Sequence, residues 1–270
     1  MADAEGQHVS NDAPRRAPVT PRVRTSPGSG ALPLERLVAG MLDAGAAGVV
    51  FVHAPAGGGK TTALAHLRSA LREHAARLHL LDEPKPADLR AHAGKLLVVT
   101  GSSRSHHDWL ATLELVPWAE DEWIEYLAAN HRPMVGSVMA RLKDDATRHA
   151  LDGSPQLWTI VLDALAADVS LTSARDALRH HLLSLLPDER ARVAAGAVAV
   201  NVLGCDAGVL PPNRSKLPEE ILSLLRHPVV RLRLAADWLA TAFAAGGAPP
   251  VLLAQPLERD LLAEAGAALR

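Results

Sequence analysis

The 270-residue chain contains little cysteine, few aromatic side chains and no long hydrophobic run. Its single cysteine, Cys205, excludes an internal disulfide and fits a reducing, cytoplasmic environment. The longest apolar run, Val193 to Leu203, falls well short of the roughly 20 residues of a membrane span, so we expect no membrane contact. The net charge of −2 gives no indication of a specific nucleic-acid surface.

Hydrophobic residues nevertheless make up 48% of the chain and charged residues 21%, as is typical of a globular protein with a large core. The length is near the limit at which one core gives way to two domains. Arginine outnumbers lysine by 23 to 5, so each lysine is more informative about function. One of these five is Lys60, which follows three successive glycines.

The stretch around Lys60 has the pattern of a phosphate-binding P-loop. It follows the apolar run Gly48–His53 and precedes a helical pattern from Thr62 to Arg77. Glycines let backbone N–H groups point toward phosphate oxygens, and the helix N-terminus adds its positive dipole end. Lys60 is predicted to contact the β- and γ-phosphates, and the Thr61 hydroxyl to bind Mg²⁺. The predicted nucleotide-binding residues of this stretch are Ala54, Pro55, Ala56, Gly57, Gly58, Gly59, Lys60, Thr61 and Thr62.

An apolar segment that ends in two acidic residues follows the predicted loop and has the form of a Walker B strand. Its Asp82 is predicted to bind Mg²⁺, directly or through water, and its Glu83 to polarise the water that attacks the γ-phosphate. The next apolar strand ends at Thr100, a candidate contact of the γ-phosphate. Arg104 is a second candidate, which would stabilise phosphate charge as a catalytic residue, although its segment equally fits a polar loop that faces water.

The chain divides into four parts by composition and periodicity. Residues 1–31 are rich in Pro, Ser, Gly and Asp with interspersed Arg, and we expect a disordered basic tail. Residues 32–118 are predicted to form an α/β nucleotide-binding domain with four strands in the order β-α-β-α-β-β. A helical lid over residues 119–170 and a C-terminal helical subdomain over residues 171–270 follow. The predicted fold class is α/β, a small P-loop NTPase parallel sheet followed by all-helical parts.

Together these motifs resemble the AAA-type and STAND-type ATPases, and within the latter the NACHT and NB-ARC signalling ATPases. The tripeptide that ends at Pro155 is similar to their Gly-x-Pro motif, which implies that Pro155 packs near the nucleotide base. The stretches Leu115–Leu127 and Ser137–Leu142 look like bacterial NACHT-like ATPase modules. The resemblance covers roughly residues 45–245, with a sheet one strand short of the usual five.

The resemblance implies a Mg-ATP-binding, slowly hydrolysing ATPase that acts as a nucleotide-dependent conformational switch. ATP or ADP would lie between sheet and lid, with Mg²⁺ as cofactor, and nucleotide state would select a protein partner or self-association. One alternative is a kinase-like P-loop phosphotransferase with a helical substrate lid. Against it, residues 120–270 show no cluster of basic or catalytic side chains for an acceptor. The other is a non-hydrolysing, nucleotide-bound scaffold, against which the presence of Glu83 argues.

Overall fold

The computed structural model of the chain describes residues 17, 19–85, 88, 89, 94–101, 109–143, 145–204 and 217–244. Within these ranges the fold is α/β, with nine helices and one six-stranded mixed sheet. The strands are β1 (Arg22–Arg24), β2 (Leu32–Pro33), β3 (Gly48–His53), β4 (Leu78–Asp82), β5 (Leu96–Gly101) and β6 (Ala111–Leu115). The helices are α1 (Leu34–Asp43), α2 (Lys60–Ala70), α3 (Glu120–Asn130), α4 (Val135–Lys143), α5 (Pro155–Ala167), α6 (Ala174–Leu185), α7 (Glu189–Gly204), α8 (Glu219–Leu224) and α9 (Pro228–Ala244).

The four strands predicted from the sequence are present and parallel, and they form the centre of the sheet. The spatial order is β2-β1-β6-β3-β5-β4, with β6, β3, β5 and β4 parallel to one another. Five of the six residues of β5 are buried, as expected for a strand covered on both faces. The carboxyl ends of β3, β4 and β5 therefore lie along one edge of the sheet, where ligands bind in open α/β folds.

Two further strands make the sheet mixed rather than purely parallel, and they correct the prediction for the tail. Within predicted residues 1–31, strand β1 pairs antiparallel with β6, with Val23 opposite Leu115, and Val23 is only 1% exposed in the sheet core. The apolar residues Val19, Pro21 and Val23 alternate with polar ones, which is the period of a strand. Residues 1–16 lie outside the described ranges.

The helices after residue 119 share one hydrophobic core. That core contains side chains from the predicted lid, such as Trp158, and from the predicted C-terminal subdomain, such as Ile221. The lid and the described part of that subdomain therefore pack together as a helical half. The predicted closing helix after Pro256 lies outside the described residues. No helix within the described ranges is long and apolar enough to cross a membrane.

A short connector, residues 116–119, joins the sheet to the helical half. The Trp118 N–H donates a hydrogen bond of 2.8 Å to the Gly153 carbonyl. Gly153 has φ +61°, and a Cβ there would lie 2.5 Å from the Pro117 Cβ. Only glycine fits this contact without displacing the connector. The first residue of the predicted Gly-x-Pro motif thus fixes the joint between the two halves.

Candidate functional site

The glycine-rich loop, residues 54–59, connects the end of β3 to the start of α2. Gly57 and Gly59 have φ +71° and +84°, in the left-handed region that glycine adopts without strain. A Cβ on Gly58 would lie 2.7 Å from the Ala54 Cβ, so no side chain fits there. Helix α2 begins at Lys60, and its first N–H groups have no partner within the helix. The loop therefore has the shape and the donors of an anion-binding turn.

The side chain of Lys60 lies back against this loop. Its Nζ donates hydrogen bonds to the carbonyls of Ala54, at 3.0 Å, and Pro55, at 3.2 Å. It also lies 4.0 Å from Glu83 Oε1, and only 10% of the side chain is exposed. Neutral carbonyls are weaker partners for an ammonium group than phosphate oxygens. An anion that enters the loop would therefore compete well for Lys60.

Asp82, the last residue of β4, accepts hydrogen bonds from two threonine hydroxyls. Thr100 Oγ1 donates to Asp82 Oδ1 at 2.5 Å, and Thr61 Oγ1 donates to Asp82 Oδ2 at 2.7 Å. Asp82 and Thr100 are register partners in the parallel β4–β5 pair. The hydrogen bond from Thr100, then that from Thr61 and the charge of Lys60, lower the pKa of Asp82 against the opposing effect of burial. The carboxylate is therefore ionised at neutral pH, beside the glycine-rich loop.

Glu83 follows directly in a strained backbone conformation. Its φ is +45°, which costs a non-glycine residue about 1–2 kcal/mol. The Glu83 N–H points to Thr100 Oγ1 at 3.4 Å, while 63% of the side chain is exposed. Strained residues of this kind cluster at functional sites, where the surrounding structure holds them. The geometry therefore indicates that Glu83, like Asp82, is a candidate functional residue.

These residues line a cavity of about 820 Å³ between the sheet and the helical half. Its volume is within the range of roughly 300–1,000 Å³ that small-molecule and cofactor sites occupy. The sheet side contributes charged and backbone groups, and the helical side contributes aromatic and apolar surface together with charged side chains. The lining residues include Ala56, Gly57, Gly58, Gly59, Lys60, Thr61, Thr62, Asp82 and Glu83 from the sheet side, and Trp118, Tyr126, Pro155, Thr159, Ile160, Glu220 and Arg226 from the helical side.

The N-terminus of α5 packs directly on the glycine-rich loop. The Pro155 Cγ lies 3.5 Å from the position that a Cβ of Gly59 would occupy. The backbone N–H of Gln156 points to the Gly57 carbonyl at 3.4 Å, as does the Ser154 hydroxyl. The absence of side chains at the loop glycines thus makes room for α5. The contact places Pro155 in the cavity wall beside the loop.

His227, which the sequence does not single out, also packs on the loop. A Cβ on Gly57 would lie 2.2 Å from the His227 Cε1. His227 is 5% exposed, and its Nε2 lies 3.0 Å from the Gln156 Oε1. Burial, and then the charge of Arg231, lower the pKa of His227. The neutral imidazole that results can donate Nε2–H to Gln156, so the loop, α5 and the turn before α9 form one contact.

The structure brings most of the predicted site residues together. Ala56 to Thr62, Asp82, Glu83 and Pro155 line the same cavity, while Ala54 and Pro55 contribute the carbonyls that hold Lys60. Thr100 differs from its prediction: it is 1% exposed and lies behind Asp82, which it orients, because its hydroxyl points along the sheet to its register partner. The predicted Arg104 lies outside the described residues.

Sequence reasoning missed two parts of the cavity wall. One is the N-terminal segment, of which Ala17, Val19, Thr20, Pro21 and Arg22 line the cavity. The other is the turn around α8, from which Glu220 and Arg226 reach the cavity. The alternating pattern of the first segment is a signal that could have found it. The second depends on tertiary packing across some 160 residues, for which the sequence carries no local signal.

The oxygen groups at Asp82 fit a hard divalent cation. Mg²⁺ is usually bound by one or two carboxylates together with waters and substrate phosphates, and Asp82 with the Thr61 hydroxyl supplies oxygen donors of that kind. Within the described ranges no cluster of three or more His, Cys, Asp or Glu side chains is placed to hold a metal on its own. Searches of family models, curated proteins and solved structures gave no match to this chain.

Proposed function

We propose that the chain is a Mg-ATP-binding, slowly hydrolysing ATPase of the STAND or AAA-like type, which acts in the cytoplasm as a nucleotide-dependent conformational switch. One observation carries the proposal. The ionised Asp82 accepts a hydrogen bond from Thr61 and lies beside Lys60 and the three loop glycines in a cavity of about 820 Å³. This combination is what a magnesium–triphosphate group requires: N–H donors, an ammonium group and oxygen ligands for the metal.

The residues have separate roles in this proposal. The backbone N–H groups of the loop and Lys60 bind the phosphates, and Asp82 and Thr61 hold the magnesium ion. Bound Mg²⁺ supplies charge neutralisation at the β- and γ-phosphates. Glu83, exposed in the cavity wall, accepts a proton from the attacking water. Thr100 keeps Asp82 oriented from behind, which leaves the γ-phosphate contact to a residue such as Arg104.

The helical side of the cavity supports binding of a base and a switching role. Trp118, Pro155 and Ile160 offer flat apolar surface, which suits a purine ring. Since Gln156 and His227 both contact the loop residue Gly57, movement of the loop on phosphate binding reaches the helical half directly. We expect this change to alter the affinity for a protein partner or for a second copy of the chain.

Titration of a fluorescent ATP analogue into wild type and Lys60→Ala tests the binding step. Loss of the charged donor should weaken binding by about tenfold or more, since hydrogen bonds to charged groups contribute roughly 1.5–3 kcal/mol. Lys143→Ala, which removes the same charge from an exposed site at the end of α4, is the control and should bind as wild type does. Equal affinity of Lys60→Ala and wild type would refute the assignment of the loop.

Phosphate release separates hydrolysis from the alternatives. Wild type with Mg-ATP should release phosphate slowly, and Glu83→Gln, which cannot take the proton, should bind nucleotide but release none above background. Release that is undiminished in Glu83→Gln would remove Glu83 as the base. Binding without any release from wild type would indicate a scaffold, and ADP formation that requires an added acceptor and yields no free phosphate would indicate a phosphotransferase.

A further inference from the structure

A segment at the N-terminus connects the two halves beside the connector. We call it the strap, defined as residue 17 and residues 19–24. Its Val19 is 6% exposed and belongs to the core of the helical half, whereas its Val23 is 1% exposed and belongs to the core of the sheet. The residues between them line the cavity. The strap is thus anchored in both cores and passes along the cavity wall.

Side chains of α3 hold the N-terminal end of the strap. Asn130 bonds both backbone groups of Ala17: the Ala17 N–H donates to Asn130 Oδ1 at 2.8 Å, and Asn130 Nδ2 donates to the Ala17 carbonyl at 3.1 Å. One turn and a half earlier on the helix, Glu125 Oε1 accepts from the Thr20 N–H at 2.8 Å. Backbone N–H and C=O groups that would otherwise require water are therefore satisfied by the helix.

The C-terminal end of the strap is bound to the connector and the sheet. Arg22 forms ion pairs with Glu122 and Glu125 on the same face of α3. Its carbonyl accepts from the Val116 N–H at 2.9 Å, next to the β1–β6 pairing. The strap therefore runs antiparallel to the chain from β6 through the connector into α3, and supports it along its whole length.

We propose that the strap holds the helical half closed over the cavity while it is docked on α3, and that its detachment allows the cavity to open. The strap would thereby control how fast bound nucleotide leaves. The proposal rests on the proposed function, because it concerns the nucleotide of that site. The four-residue connector and the contacts of α5 and His227 with the glycine-rich loop also join the halves, and they leave room for a hinge movement. The strap removes this freedom while it is docked on α3. Anything that pulls the strap away from α3 would open the cavity.

The two ends of the strap are held by contacts of different strength. The sheet end is fixed by strand pairing and by the buried Val23. The other end depends on Val19 and on three hydrogen bonds to Asn130 and Glu125, while Arg22, nearer the sheet, pairs with the buried Glu122 and the partly exposed Glu125. Single hydrogen bonds contribute about 1 kcal/mol each, so the N-terminal end can detach while Arg22 and β1 stay in place. Detachment is therefore a local opening, which needs less free energy than unfolding.

A reversible covalent lock tests the proposal. The double variant Ala17→Cys/Asn130→Cys, in a Cys205→Ser background, replaces two residues that hydrogen bonds join, and loss of free thiol on oxidation verifies the bridge before release is measured. The measured quantity is the rate at which a pre-bound fluorescent ATP analogue leaves when excess unlabelled Mg-ATP is added. The reduced pair lacks both Asn130 bonds and should release the analogue about tenfold faster than the background protein. The oxidised pair should release it more slowly than the background, and reductant should reverse the change.

The single variants Ala17→Cys and Asn130→Cys cannot form the bridge and should show no dependence on oxidation. If the oxidised and reduced double variants release nucleotide at the same rate, the strap does not control closure and this proposal is overturned, while the proposed function stands. If the background protein binds no nucleotide, both fail together. The two proposals are therefore distinguishable by the background protein alone.

Point variants give a second test that needs no disulfide. Asn130→Ala and Glu125→Gln weaken docking from residues that do not line the cavity, and each should speed release several-fold. Glu120→Gln removes the same charge as Glu125→Gln from the exposed first turn of α3 and is the control. Release from both docking variants at the rate of Glu120→Gln would overturn the proposal, provided that their thermal unfolding shows all three to be folded.

Discussion

Substitution of Gly57 by alanine tests whether the helical half really packs on the glycine-rich loop. The added Cβ would lie 2.2 Å from His227 Cε1 and 3.0 Å from Gln156 Oε1. His227 cannot simply swing away, because it is 5% exposed and bonded to Gln156. The variant must therefore displace a buried side chain, in addition to placing alanine at φ +71°.

Two costs add up in Gly57→Ala. The left-handed backbone costs alanine about 1–2 kcal/mol. Displacement of His227 loses a hydrogen bond worth about 1 kcal/mol, and overpacking adds roughly 1–3 kcal/mol. We expect the free energy of unfolding to fall by about 3–6 kcal/mol. In a His227→Ala background the clash with His227 is absent, so the same substitution should cost less: the backbone cost of about 1–2 kcal/mol and the close approach to Gln156 Oε1 remain.

Urea unfolding of wild type, both single variants and the double variant measures this difference as a double-mutant cycle. The two substitutions should couple by about 2 kcal/mol or more, with the double variant more stable than the sum of the single effects indicates. Distant sites add within about 0.3–0.5 kcal/mol. Coupling within that limit would show that His227 does not contact Gly57, and would refute the reasoning that the loop and the helical half move together.

Three further predictions follow from single contacts. Gly153→Ala should lower the free energy of unfolding by about 2–4 kcal/mol in thermal unfolding, since its Cβ meets the connector at φ +61°; Gly136→Ala, in open space on α4, should not. Thr100→Val should raise the pKa of Asp82 toward its usual range and increase the Mg²⁺ concentration required for nucleotide binding, measured by titration. Because the pKa of His227 is lowered in the folded chain, the unfolded chain binds the proton first as pH falls. The free energy of unfolding should therefore drop as pH falls through about 6.5, and drop less in His227→Gln.

The residues of the sheet side were predictable because their chemistry is local. The three glycines lie between a strand pattern and a helix pattern. Lys60 and Thr61 therefore fall at the helix N-terminus. Asp82 ends a parallel strand, so it must lie at the same edge of the sheet as the loop. Thr100 was placed at the right edge, but its side-chain partner was not predictable, because strand register was unknown.

The other contacts arise between distant parts of the chain. His227 reaches Gly57 only because α8 and α9 pack in the same core as α5, and periodicity shows which face of a helix is buried but not against what. The strap was assigned to a disordered tail because residues 1–31 are rich in Pro, Ser, Gly and Asp and have little apolar content. Its order comes from Asn130 and Glu125, over 100 residues away.

The same division explains how a switch would work here. The residues proposed to bind phosphate and metal come from consecutive turns at one edge of the sheet. Residues that close the cavity come from the strap, from α5 and from the turn at His227. The last two meet the sheet side at Gly57 and Gly59, and the strap meets it through β1 and the connector. These contacts are few and closely packed. A small shift of the glycine-rich loop must therefore either move α5 and His227 with it or separate the sheet from the helical half. The residues proposed to bind phosphate and metal and the residues that close the cavity therefore lie in different parts of the chain. The loop glycines are where the two groups of residues meet.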